Sequence, residues 1–90
     1  MKKVYRFYSD PGHGWLRVDF IELIHLNIYS RISTCSYRKG KYVYLEEDRD
    51  AGIFIEAKKA SGQQVKINFL KQAEVYSNIR RYPSYSVSEN

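Results

Sequence analysis

The sequence predicts an α+β fold, a mostly antiparallel sheet of about five strands with two short helices on one face, in the order ββαββαβ and followed by an extended C-terminal segment. Three observations predict it. Residues 2–8, 15–18 and 65–69 alternate or carry the β-branched and aromatic content of half-buried strands. The stretch 35–45 reads as a β-hairpin turning at Lys39-Gly40. Two further stretches, 19–26 and the run from Asp48 to Gly62, carry apolar stripes at helical spacing between start and stop signals.

In chain order, the first strand sets Val4, Arg6 and Tyr8 on one side and Lys3, Tyr5 and Phe7 on the other. Asp10-Pro-Gly-His-Gly14 then reverses the chain. Proline fixes φ at the second turn position, glycine accepts a positive φ, and the aspartate side chain bonds the backbone ahead of it. The return strand carries Trp15, expected buried as an aromatic cap on the sheet, with Leu16 and Val18 inward beside Phe7 and Tyr5.

Asp19 with Glu22 has the form of a capping box, and Phe20, Leu23, Ile24 and Ile21 supply the first helix's apolar stripe. Asn27 followed by Ile28 is expected to end that helix in a left-handed residue with a hydrophobic contact back onto the last turn.

With a loop at Lys39-Gly40, the hairpin pairs Arg38 with Lys41, Tyr37 with Tyr42, Ser36 with Val43 and Cys35 with Tyr44. One face, with Thr34, Ser36, Val43 and Leu45, suits a place under a helix. The other, with Cys35, Tyr37, Tyr42 and Tyr44, sits beside a basic turn. Acidic residues crowd the start of the second helix with Asp48 as N-cap, and Ala51, Phe54, Ile55 and the Lys58 stem share its buried face. Val65, Ile67 and Phe69 point inward from the last strand. Residues 77–85 read as an extended segment held by Ile79, Tyr82 and Tyr85, and 86–90 as a frayed tail on a single domain, 1–85.

Composition narrows the function classes. Fifteen Lys and Arg against ten Asp and Glu give a net charge of +5, which favours encounter with nucleic acid or an acidic protein surface. Nine tyrosines suit both a core edge and a contact surface, because the ring is apolar and its tip polar. A single cysteine cannot form an intramolecular disulfide, and no leader precedes the first strand, so a cytoplasmic location in the host cell is expected. No apolar run approaches the roughly 20 residues that span a bilayer, so no membrane partner is expected.

Little in the sequence points to catalysis. Asp10 and His13 could pair as acid and base, but turn chemistry explains both, and no nucleophile is tied to this histidine by spacing. Two histidines and one cysteine at 13, 25 and 35 match no structural zinc pattern, and Gly12-His-Gly14 lacks the rest of a phosphate loop, so neither metal nor cofactor is expected. What remains is surface. Tyr37, Arg38, Lys39, Lys41, Tyr42 and Tyr44, with Arg80 and Arg81, set aromatic faces beside cations. That mix binds single-stranded nucleic acid and also anchors protein interfaces.

The motifs Phe7-Tyr-Ser-Asp-Pro-Gly-His-Gly-Trp-Leu16, Ile32-Ser33, Ser36-Tyr37, Tyr42-Val-Tyr-Leu-Glu-Glu-Asp48 with Asp50, and Ile79-Arg80 to Tyr82 and Tyr85 together resemble a family of small uncharacterised proteins encoded by bacteriophages, plasmids and other mobile elements. The similarity spans nearly the whole chain. It departs at Arg49, where such sequences often carry cysteine. The resemblance implies no particular activity. Mobile elements carry many small proteins that act by binding, notably inhibitors of host defence such as anti-CRISPR proteins, so with no catalytic set in view the expectation is a non-enzymatic protein that binds a host protein or nucleoprotein complex stoichiometrically. The alternative is a nucleic-acid-binding accessory protein that uses the basic, tyrosine-rich hairpin.

Overall fold

The computed structural model describes residues 3–88, and its α+β architecture is the expected one. The strands are β1 (Val4–Ser9), β2 (Gly14–Asp19), β3 (Tyr37–Lys39), β4 (Tyr42–Glu46) and β5 (Lys66–Phe69), and the helices are α1 (Phe20–His25) and α2 (Asp50–Ala60). They form one sheet in the order β3-β4-β2-β1-β5, in which the β1–β5 pair is parallel and the others antiparallel. The parallel edge follows from connectivity. A chain leaving β4 through an 11-residue helix crosses the sheet and re-enters in the same direction, whereas a tight turn would reverse it.

Both helices cover one face. Leu23 of α1 and Ala51 and Phe54 of α2 share a core with Tyr5, Leu16, Val18, Val43 and Leu45. The opposite face carries a second cluster, Trp15, Tyr44 and Ile79, flanked by Tyr8, Tyr37, Tyr42 and Tyr82. No helix among the described residues is long and apolar enough to cross a membrane.

Helix ends follow local chemistry closely. Asn27 adopts φ 57°, its N–H donates to Ile24 O at 2.9 Å, and the N–H of buried Ile28 donates to Leu23 O at 2.9 Å, the expected left-handed termination. The end of α2 repeats the pattern, with Gly62 N–H on Lys59 O and Gln63 N–H on Lys58 O.

Helix starts differ from expectation. Asp19 precedes α1 but makes no side-chain cap bond: its Oδ2 turns to Lys3 at 2.8 Å, and its Oδ1 is buried without a partner among the described residues. Glu22, the other half of the expected capping box, is drawn inward to Lys3, to the Tyr5 hydroxyl at 2.6 Å and to Lys58 at 3.0 Å. Burial pushes the Glu22 carboxyl up, but those three donors outweigh it and leave the group below its ordinary value. Burial, together with the bond to Glu22, pushes the Tyr5 hydroxyl far up.

The second helix begins at Asp50, with Arg49 rather than Asp48 at its N-cap. Asp50 is fully buried. Its Oδ2 accepts from Ser33 N (3.0 Å), Ser33 Oγ (2.7 Å) and Ser36 Oγ (2.6 Å). Ser36 Oγ also accepts from Glu46 N at 2.9 Å, so one hydroxyl ties the loop before β3 to both β4 and α2. Ser36→Ala leaves a buried carboxylate and a buried N–H each short of a partner, and is expected to cost about 1–3 kcal/mol. Urea denaturation reads this directly, and a midpoint equal to wild type would show that water replaces the hydroxyl.

The hairpin has the expected faces in a different register. Tyr37 pairs with Tyr44, Arg38 with Val43 and Lys39 with Tyr42, so the two loop residues are Gly40 and Lys41. Gly40, at φ 60°, takes the first loop position, where a type II′ turn requires glycine. A slip of two residues preserves which side chains share a face, so Val43 and Leu45 stay under the helices. Strand β3 is shorter than expected: Thr34 and Cys35 lie in an exposed turn, and the tie from Ser36 to Asp50 replaces ladder pairing there.

Three expected core positions are corrected. Ile21 and Ile24 of α1 are 52% and 42% exposed, because a six-residue helix buries only the side bearing Leu23. Phe69 is 68% exposed: on the outermost strand its ring rests against Phe7 at 5.2 Å with no cover beyond.

The C-terminal segment is not simply extended. Residues Asn78–Arg81 form a 3-10 turn that seats Ile79 on the outer face. Beyond it Ser84 bridges Tyr37, and the buried Tyr85 hydroxyl donates to Tyr29 O. Of the expected frayed tail, Ser86 and Val87 are held through their carbonyls by Arg38 Nη1, each at 2.9 Å, while residues 89–90, like Lys2 of the first strand, lie outside the described residues.

Candidate binding face

Because the helices occupy one face, alternation along the strands sends the other set of side chains to the outer face. This set comprises Arg6 and Tyr8 from β1, Trp15 and Arg17 from β2, Tyr42 and Tyr44 from β4, and Tyr37 and Lys39 from β3. The C-terminal segment crosses this face and divides it into a buried centre and open margins.

At the centre Trp15 is 2% exposed, as expected, with Tyr37 edge-on at 6.3 Å. Tyr44 is buried between Tyr82 at 5.2 Å and Tyr8 at 6.0 Å, and burial, followed by Tyr82, pushes its hydroxyl up. Tyr44 is therefore a packing residue. That corrects its expected place on the contact surface.

Asp10 and Arg80 fasten the segment to the β1–β2 turn. Asp10 Oδ2 accepts from Arg80 Nε at 2.7 Å and Ser77 N at 2.9 Å, while Oδ1 accepts from Arg80 Nη2 at 2.9 Å, Gly12 N at 2.9 Å and His13 N at 3.0 Å. The Arg80 guanidinium first, and then the three backbone N–H groups, hold the buried Asp10 carboxyl far below the usual carboxylate range against the opposing effect of burial. The turn aspartate bonds the backbone ahead of it as expected, but the glycines serve a different purpose. Neither Gly12 nor Gly14 has a positive φ. A Cβ on Gly12 would lie 2.7 Å from Arg80 Nη2, and one on Gly14 would lie 2.7 Å from Phe7 Cε2, so close approach excludes a side chain at both.

The eight residues singled out from sequence thus divide. Arg80 is spent on Asp10 and stacks between Tyr76 (4.4 Å) and Trp15 (5.6 Å). Arg38 is spent on the tail carbonyls and on Gly40 O, with its guanidinium 3.8 Å from the Phe20 ring. Tyr37 and Tyr42 are half-buried, and Lys39, Lys41 and Arg81 are exposed. Lys39 Nζ lies 4.7 Å from the Tyr82 ring, and Tyr42 is flanked by Arg17 at 4.2 Å and Lys41 at 5.1 Å. Cations over ring faces are therefore repeated along this margin.

Tyr8, Val75, Tyr76 and Asn78, which the sequence did not mark as contact residues, line with Tyr82 an open groove of about 410 Å³, in which Val75 and Tyr76 are more than 70% exposed. The signal for Arg6, Tyr8 and Arg17 was their alternation against the apolar set. Tyr76 had no periodic context to reveal it.

A second groove of about 410 Å³ brings His13, Cys35, Glu46 and Asp48 near Trp15 and Arg80. Asp10 and His13 do not pair as acid and base there. Both Asp10 oxygens are taken by Arg80 and backbone N–H groups, and the His13 ring lies against Trp15 at 6.2 Å. Among the described residues no three His, Cys, Asp or Glu side chains are grouped to hold a metal ion. No family model, curated protein or solved structure matches this chain.

Proposed function

We propose that this protein works by stoichiometric binding to a host protein or nucleoprotein complex, with no chemistry of its own, through the outer sheet face and the hairpin tip. The observation that carries this reading is the open margin of the face, where Lys39, Lys41 and Arg17 lie over the rings of Tyr82 and Tyr42. Exposed cations steer encounter, and rings with few torsions hold a complex at low entropic cost. The resemblance to small mobile-element proteins adds the biological setting, inhibition of a host defence system in the manner of anti-CRISPR proteins.

Capture of partners from host lysate, with nuclease treatment as the variable, tests the target class; a protein partner retained after nuclease supports this reading. On the isolated complex, replacing Lys39, Lys41 and Arg81 by Glu is expected to slow association about tenfold or more with little change in thermal stability, because all three are exposed. Tyr82→Ala is expected to act mainly by speeding dissociation. A triple charge reversal that remains folded and binds as wild type would remove this face as the working surface.

Direct binding of nucleic acid is the second reading. What favours it is the interleaving of cations and rings on one face, because bases stack on aromatic planes while neighbouring cations take phosphates. Under this reading the affinity falls log-linearly with salt through counterion release.

A further inference from the structure

The strands β1 and β2 pair antiparallel at Ser9↔Gly14, Tyr8↔Trp15 and Phe7↔Leu16, and the ladder then stops although both strands continue. The next pair in this register would be Arg6 with Arg17, two cations on the same outer face. Like charges directly opposite one another destabilise a strand pair. A cleft of about 100 Å³ opens there, lined by Arg6, Arg17, Lys3, Asp19 and Tyr42 among others. This is the volume of about three waters, room for one phosphate group.

The charges in the cleft do not cancel. Lys3 and Asp19 pair at 2.8 Å, whereas neither Arg6 nor Arg17 has a salt-bridge partner among the described residues. The Arg17 guanidinium is held in place by the Tyr42 ring at 4.2 Å and the Tyr8 ring at 5.9 Å. An anion between the two arginines would relieve their repulsion and accept from two planar forks of N–H donors.

Two residues along β1 on the same face, about 7 Å away, Tyr8 forms a wall of the groove that Tyr76 and Tyr82 also line. A site for one phosphate therefore adjoins a site lined by aromatic rings. Resting on the second reading above, we propose that the outer face binds single-stranded nucleic acid, with Arg6 and Arg17 clamping one backbone phosphate and the Tyr8, Tyr76 and Tyr82 groove stacking the adjoining base. Base stacking on tyrosine requires an unpaired strand, so single strands are preferred over duplex.

The test is fluorescence anisotropy with a labelled oligothymidylate of about 12 nucleotides, titrated at several chloride concentrations. Wild type is expected to bind with a log-linear salt dependence. Arg6→Ala and Arg17→Ala are each expected to weaken binding about tenfold and to reduce the salt slope by about one phosphate contact. Arg17→Lys, which keeps the charge but loses the planar fork, is expected to retain the slope with reduced affinity. Tyr76→Ala, at a largely exposed position, is expected to weaken binding about tenfold without changing the slope.

Exposed Lys59 on the helical side of the molecule is the control, and Lys59→Ala is expected to bind as wild type. Wild-type affinity and slope in both arginine variants would overturn the clamp while leaving nucleic-acid binding elsewhere on the face intact. Complete displacement of the oligonucleotide by inorganic phosphate at matched ionic strength would reduce the site to a free-anion site and overturn the extended path. Absence of any oligonucleotide binding would overturn both the clamp and the second reading. A protein partner captured in the same preparation would still support the binding function.

Discussion

Trp15→Ala is expected to lower the unfolding free energy by about 3–5 kcal/mol, the largest loss anticipated for any single substitution considered. The indole is 2% exposed and is the floor on which the C-terminal segment rests, with Ile79 in the same cluster and Arg80 stacked 5.6 Å above its ring. Total stability for a domain of this size is about 5–15 kcal/mol, so the variant approaches the edge of folding.

The loss should not be uniform. With the indole gone, the 3-10 turn keeps its hydrogen bonds from Arg80 N to Ser77 O (3.2 Å) and from Tyr82 N to Ile79 O (3.0 Å) but loses the apolar floor under Ile79. Amide exchange at Arg80 and Tyr82 is therefore expected to accelerate more than exchange in the β2–β4 ladder. A urea midpoint unchanged from wild type would show that the outer face does not depend on this ring, and would reopen Trp15 as a contact residue.

The second large effect is expected at Asp10. Removing the carboxylate in Asp10→Ala strands a guanidinium and three backbone N–H groups at once, for an expected cost of about 3 kcal/mol. The pH dependence has a definite sign. In the folded chain the carboxyl titrates far below the usual range, because of Arg80 first, whereas in the unfolded chain it titrates near 3.9. The folded state thus binds this proton less readily than the unfolded state does. Its contribution is complete above about pH 5 and is lost progressively as pH falls through about 4 toward the folded value. Melting temperatures from pH 7 to pH 3 should show a steep acid limb in wild type and a flatter one in Asp10→Asn, which keeps the shape without the charge. Parallel acid limbs would show that the Asp10–Arg80 pair does not couple folding to protonation.

Local chemistry explains most of what was legible in the chain. Asn27 and Gly62 stop their helices because a left-handed residue presents the following N–H groups to the last carbonyls, a geometry contained in a few consecutive residues. The faces of β1, β2 and β4 were legible for a similar reason, since a period of two and an apolar set decide which side meets the helices. The capping box was misread because Lys3, sixteen positions before Asp19, competes for its carboxylate, and no local pattern records such a partner. The hairpin register was misread by two residues because Gly40 suits either position of a two-residue loop, and the choice rests on how β4 pairs with β2 on its other side.

The candidate site divides along the same line. Sequence by itself determined the α+β class, the two-sidedness of the sheet, the burial of Trp15 and the abundance of tyrosine beside cations, because each depends on composition or on short-range period. Tertiary structure alone decided which of those cations are available. Arg80 finds Asp10 seventy residues away, and Arg38 finds the tail forty-eight and forty-nine residues away, so both are engaged within the fold, while Arg6 and Arg17 line one cleft without a salt-bridge partner among the described residues. The physical reason is that a charge is neutralised by whatever lies within a few ångströms of it, and that neighbour is chosen by the path of the whole chain.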